Sequence, residues 1–140
     1  MNIKTYIGFD VGRKRTGVAI ANSLTNTAKG LDTICHHKDG RTNWGDIDKL
    51  VNKYQANKFI IGLPLKSDGS EQEMTYIAKS FARKLERKFK IETILVDEFL
   101  STNEAKSQLK YNHFHKNSKR MKIDKLAAAI ILQTWLNNPT

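Results

Sequence analysis

The sequence predicts an α/β fold: a five-stranded mixed sheet, three antiparallel strands and then two parallel ones, with helices on both faces. Three observations carry that expectation. Three strand-like runs joined by short polar turns fill residues 3–35, which leaves no room for crossover helices and makes those strands antiparallel. Beyond residue 43 the apolar spacing becomes helical, and helix-like and strand-like runs then alternate. Strands joined through helices run parallel, with right-handed crossovers.

Each element has its own signal. Residues 3–11 form the first strand, with Ile3, Tyr6, Ile7, Phe9 and Val11 in one apolar stretch. Gly12, Arg13, Lys14 and Arg15 make a polar turn, and residues 16–21 return as the second strand of a β-hairpin. Residues 22–26 turn the chain again into a weaker strand over 28–35. Trp44, Ile47, Leu50, Val51 and Tyr54 fall at helical spacing, with Asn43 as the N-cap. Residues 58–63 form a buried strand stopped by Pro64, and 66–70 form a loop. Ser70 and Glu73 make a capping-box pattern before a helix that keeps Ile77, Ala78, Phe81, Ala82, Leu85 and Phe89 on one face. Residues 93–96 are the last strand. Ser101 or Thr102 is placed to cap a helix to about Tyr111, residues 112–119 form a polar connection, and a final helix runs from about Lys122 to Leu136.

Composition bounds the class. At 140 residues the chain can bury a core without disulfides or structural metal, and 39% hydrophobic residues make it folded rather than disordered. Cys35 is the only cysteine, which excludes an intrachain disulfide and a cysteine zinc site. The longest apolar run, 126–132, is far short of a membrane span, and the first residues carry no signal-peptide pattern. The expectation is one cytoplasmic domain over residues 1–140 that makes no membrane contact. The net charge is +10, spread evenly as +5 on each half of the chain, so no basic tail hangs from a neutral domain. Such a globally cationic domain suits a polyanion, above all nucleic acid.

Three acids occupy unusual places. Asp10 ends the first strand, Glu98 follows Asp97 at the end of the last, and Asp124 precedes the apolar run of the final helix. If the first and last strands are parallel and adjacent, Asp10 and Glu98 emerge at one sheet edge. The carboxyl ends of strands are where open α/β sheets place ligands. Each acid also has a simple structural reading: Asp10 as a turn residue, Glu98 paired to a lysine, Asp124 favoured by the helix dipole. If all three converge, they repel one another until a cation arrives.

Four motifs in order resemble the YqgF family. They are Ile7-Gly-Phe-Asp-Val-Gly-Arg-Lys-Arg-Thr-Gly-Val-Ala-Ile20, then Ile61-Gly-Leu-Pro-Leu65 with Asp68-Gly-Ser-Glu71. Next come Val96-Asp-Glu-Phe-Leu-Ser-Thr102 with Glu104 and Ala105, and finally Ile123-Asp-Lys-Leu-Ala-Ala-Ala-Ile-Ile-Leu132. Members of that family are bacterial RuvC-like nucleases, described as Holliday-junction resolvases and as pre-16S rRNA nucleases. The resemblance covers almost the whole chain. It implies an RNase H-like nuclease domain whose catalytic and metal-binding acids are Asp10, Glu98 and Asp124. Two departures stand out: Phe99 occupies a position where the family carries arginine, and Asn22-Ser23 replaces an Asp-Pro-like pair.

Several expectations follow from the resemblance. The function is metal-dependent hydrolysis of phosphodiester bonds in structured nucleic acid, with 5′-end maturation of pre-16S rRNA as the role. The cofactors are two Mg²⁺ or Mn²⁺ ions, since hard divalent ions held by carboxylates suit such chemistry. Partners are structured RNA or branched DNA, with pre-ribosomal particles among them, bound by a monomer or a weak homodimer. Arg13, Lys14 and Arg15 beside Asp10, and Lys119, Arg120 and Lys122 before Asp124, are placed to hold phosphates, as are Lys116 and Lys125. The 68–70 turn stands at a helix start and could receive a phosphate or simply cap the helix. His36, His37, His113 and His115 read as surface or loop residues, and Trp135 as packing. The alternatives are a four-way DNA resolvase, a non-catalytic nucleic-acid or ribosome-assembly module, and an ATP-binding fold of the actin, Hsp70 and sugar-kinase type. The last of these needs two such domains.

Overall fold

Alternation along the strands decides which helices cover which face of the sheet. The computed structural model describes residues 2–98 and 117–140. Its elements are β1 (Thr5–Asp10), β2 (Arg15–Asn22), β3 (Lys29–Cys35), α1 (Trp44–Tyr54), β4 (Lys58–Pro64), α2 (Glu73–Phe89), β5 (Glu92–Glu98) and α3 (Asn117–Asn137). The sheet order is β3-β2-β1-β4-β5. β1–β2 and β2–β3 are antiparallel pairs, while β1–β4 and β4–β5 are parallel pairs.

The predicted five-stranded mixed sheet is therefore present, but the first and last strands are not adjacent. β4 lies between them. Phe59, Ile60 and Ile61 are all fully buried, as a central strand covered on both faces requires. β5, with Leu95 exposed, takes the edge.

On one face Ile7, Phe9, Val18, Phe59 and Ile61 pack under α1 and α2, which contribute Ile47, Leu50, Val51, Ala78, Phe81 and Leu85. Phe9 makes edge contacts with Phe59 and Phe81, at 5.8 Å and 5.4 Å between ring centroids. On the other face Tyr6, Ala19, Ala21 and Ile60 meet Ala128, Ile131, Leu132 and Trp135 of α3. Trp135 is buried against Tyr6, with centroids 5.0 Å apart, so it packs as expected. No helix among the described residues is long and apolar enough to cross a membrane.

Asn43 caps α1 as predicted, its side chain accepting the Asp46 N–H at 3.2 Å. The start of α2 differs. Gln72 is its N-cap, and the Gln72 N–H donates to Thr75 Oγ1 at 3.0 Å. Ser70 instead donates to Asp68 Oδ1 from both its N–H (2.9 Å) and its hydroxyl (2.6 Å), closing a local turn. The 68–70 turn is thus separated from the helix start, and the Ser70–Glu73 capping box is not formed. The last helix begins at Asn117 rather than near Lys122. Thr33 of β3 donates its hydroxyl to the Met121 carbonyl at 2.7 Å, a tertiary tether that local sequence does not reveal. The predicted helix to Tyr111, Phe99, Glu104, Ala105, Lys116, His113 and His115 lie outside the described residues.

His36 lies in the loop after β3, as expected, and is half-buried. Its Nδ1 accepts the Asn43 N–H at 3.2 Å, so the neutral ring carries its proton on Nε2, 2.7 Å from Thr16 Oγ1. Burial, and secondarily the neighbouring His37, hold its pKa below the ordinary 6.5. The unfolded chain then binds this proton more readily than the folded one, so the stability His36 confers is present above about pH 6.5 and lost as pH falls below it. His36→Asn keeps an acceptor for Asn43 and does not titrate. Thermal melts from about pH 7.5 down to about pH 5.5 should show a smaller fall for this variant than for wild type. Equal falls would show that His36 does not carry the pH dependence.

Candidate active site

Asp10 is the last residue of β1 and pairs directly with Gly17 of β2. Directly opposed residues of an antiparallel pair point to the same face, and for Gly17 that is the face covered by α3. The helix passes so close that a methyl group at position 17 would lie 3.1 Å from Asp124 Cα, and nearer still to the Asp124 carbonyl carbon and oxygen. The missing side chain of Gly17 therefore lets α3 bring Asp124 down beside the partner of Asp10.

Arg15 lies two residues before Gly17 on the same strand and so on the same face. Its Nε donates to Asp124 Oδ2 at 2.8 Å, with the side chains 27% and 12% exposed. A carboxylate this enclosed needs a counter-charge, because burying it alone costs several kcal/mol. Arg15 supplies that charge.

Glu98 ends β5 and is 7% exposed, while its neighbour Asp97 points the other way into solvent. Pro64 of β4 pairs with Glu98, and Gly62 lies two residues earlier on that strand. A methyl group at 62 would sit 3.3 Å from Glu98 Cγ. One step past the Phe9–Ile61 pair puts Asp10 alongside Gly62. Asp10 and Glu98 thus close two parallel strands on one face, separated by a β4 position that carries no side chain.

The donor chemistry and the shared face suit a hard divalent cation, which takes carboxylate oxygens. The side chains do not form a closed cluster in this conformation. Among the described residues no three His, Cys, Asp or Glu groups are close enough to share one ion. Asp124 is instead engaged by Arg15.

The basic residues fall into separate settings. Arg13 is exposed and pairs with Glu73 at 2.8 Å, joining the β1–β2 turn to the start of α2. Lys14 is exposed on the same turn. Lys119 is half-buried, and Arg120 and Lys122 are exposed, on the part of α3 that precedes Asp124. A Cβ on Gly30 would lie 2.7 Å from Lys125 Cβ, which fixes that residue against β3. The sequence places Arg13, Lys14 and Arg15 in one cluster; the structure divides them. A signal for the division was present, since Arg15, Gly17, Ala19 and Ala21 alternate as one small-residue face with an arginine at its head.

A family profile described as "RuvX: Holliday junction resolvase" matches residues 4–138. A Haemophilus ducreyi protein named "Putative pre-16S rRNA nuclease" is 40% identical over 134 residues, covering 96% of each chain. A protein of the same name from Shewanella oneidensis is 38% identical, covering 99% of this chain and 97% of that one. Among solved structures, Thermus thermophilus RuvC in complex with a Holliday junction substrate superposes with a TM-score of 0.56 at 10% identity, covering 95% and 93% of the two chains. The fowlpox virus Holliday junction resolvase also gives 0.56, at 14% identity with 95% and 98% covered. These two likenesses establish the RuvC-like, RNase H-like fold.

Proposed function

The chain belongs to the RuvX family of Holliday junction resolvases, the family also called YqgF, and from that premise we propose that residues 1–140 act as one metal-dependent nuclease domain. It hydrolyses phosphodiester bonds in structured nucleic acid, with maturation of the 5′ end of pre-16S rRNA as its role. The observation that carries this reading is the shared face: Asp10 and Glu98 end parallel strands beneath the helix that brings in Asp124 at Gly17.

Asp10, Glu98 and Asp124 are the residues that would hold two Mg²⁺ or Mn²⁺ ions. Such ions, when bound, activate a water and offset the charge developing on the leaving oxygen. Asp10 lies laterally between the other two acids and would hold the ions together with them. Arg15 pairs with Asp124 beside it. Lys14, Arg120 and Lys122 on the exposed rim, with Arg13 and Lys119, supply charge for the phosphate backbone.

Cleavage of precursor 16S rRNA and of a four-way DNA junction, each with Mn²⁺, Mg²⁺ or EDTA, tests the reading. The expected result is metal-dependent cleavage of the RNA, lost in Asp10→Asn. Cleavage of the junction alone would select the second reading, branched DNA, which the family's description favours. Failure of wild type to cut either substrate with metal would overturn the nuclease and leave a binding module.

A further inference from the structure

On the opposite side of the β1–β2 turn from Asp124 lies a groove of about 820 Å³, walled by that turn, the loop after β3 and one stripe of α2. Arg13, Lys14, Lys38 and Lys84 line it with His37, and no carboxylate is among its lining residues. Arg13 is offset by Glu73, and Asp39 of the same loop pairs with Arg41. Lys14, Lys38 and Lys84 make no ion pair among the described residues. A groove with cations converging on it and no acid is costly in self-repulsion unless it receives an anion.

Its α2 wall carries Tyr76, 60% exposed although large and aromatic. Glu71, paired with Lys79, lies beside the Tyr76 hydroxyl and holds its pKa above the ordinary value. Tyr76, Ser80 and Lys84 follow one another at four-residue intervals and present an aromatic face and a cation along one line of the groove. Cations that track a backbone, with an aromatic platform beside them, are the elements of single-strand nucleic-acid binding. A space of this size takes a ligand of roughly drug dimensions, which suits one or two nucleotides of a single strand and excludes a duplex.

We propose that this groove binds an unpaired nucleic-acid segment that continues from the acidic site across the Gly12–Lys14 turn, with phosphates on Lys14, Lys38 and Lys84 and a base on Tyr76. The occupant rests on the nuclease reading, because a strand whose phosphate lies at Asp10 reaches this turn next. The substrate class that follows is a duplex or junction with a single-stranded flank, rather than a fully paired one.

Fluorescence anisotropy with a short oligouridylate, in EDTA so that no cleavage intervenes, tests the groove by itself. For Lys38→Ala with Lys84→Ala, the log–log salt slope should fall by about 1.4, two phosphates at roughly 0.7 each. Tyr76→Ala should weaken the oligouridylate about fivefold or more while leaving a blunt duplex of equal length unchanged. All three side chains are exposed, so melting temperatures should match wild type and show that the variants are folded. An unchanged salt slope, equal loss of single strand and duplex in Tyr76→Ala, or binding of a mononucleotide as tight as the oligomer would overturn the proposal. If the nuclease reading fails, cleavage is absent while these binding differences persist; if the groove fails, cleavage persists without them.

Discussion

Gly17→Ala should cost about 4 kcal/mol or more, a magnitude reserved for changes that the surroundings cannot absorb. Alanine in a strand is ordinarily no worse than glycine, so the sign of the effect is diagnostic. Here the added methyl meets backbone: it would lie 3.1 Å from Asp124 Cα and closer to the Asp124 carbonyl. A flexible side chain could swing away, but a helix backbone cannot. Relief requires α3 to lift from β2, which separates Ala128, Ile131 and Leu132 from the sheet. Overpacking usually costs 1–3 kcal/mol, and moving a whole packed helix lies beyond that range. Against a total stability of roughly 5–15 kcal/mol, the variant should lose its urea midpoint by a large fraction or fail to fold. Gly45→Ala is the control. Gly45 is exposed in the first turn of α1, its Cβ would meet only the Asn43 side chain at 3.7 Å, and that variant should be neutral or stabilised by about 0.5 kcal/mol. If Gly17→Ala unfolds within about 1 kcal/mol of wild type, α3 does not sit on Gly17 as described.

The same contact explains what could be read in the sequence and what could not. Strand identities came from short apolar runs, and the burial of Phe59, Ile60 and Ile61 matches the run that suggested a buried strand. Helix faces were equally clear, because Ala78, Phe81, Ala82 and Leu85 recur at helical spacing and are buried together. Order along the chain does not give order across the sheet. β4 separates β1 from β5 because a strand buried on both faces must be central, a condition that emerges only when both layers of helices are in place. Helix starts were the least legible feature: α2 is capped by a local Gln72–Thr75 bond, and the first turns of α3 are tied to β3 through Thr33 and Met121. The three acids were legible as acids in odd places. Their shared face was not, since it depends on Gly17 and Gly62 lacking side chains under α3 and beside Glu98. Lys38, Lys84 and Tyr76 gave no local signal at all. They come from two distant segments and share a groove only after folding.

Arg15→Gln should cost about 3 kcal/mol in EDTA, because breaking an enclosed ion pair leaves one charge uncompensated. The charge left behind is Asp124, only 12% exposed in its side chain. Asp124→Asn should cost less, about 1 kcal/mol, since Arg15 is 27% exposed and its long stem can carry the guanidinium to water. The double variant should then cost less than the two singles combined, with a coupling of about 2 kcal/mol. Arg15 thereby answers the mutual repulsion that three converging acids imply. The pair also predicts a competition. If a divalent ion draws on Asp124, Arg15 is its rival, and removing Arg15 strengthens the ion's hold. Mn²⁺ at a hundredfold excess over its dissociation constant stabilises a protein by about 2.7 kcal/mol. At one fixed Mn²⁺ concentration, the shift in melting temperature should be larger for Arg15→Gln than for wild type, and smallest for Asp124→Asn. Equal shifts in all three would remove Asp124 from the metal site. A smaller shift in Arg15→Gln than in wild type would mean that Arg15 orients Asp124 for the ion instead of competing for it. Additivity of the two single substitutions, within about 0.5 kcal/mol, would show that the 2.8 Å contact carries no coupling energy.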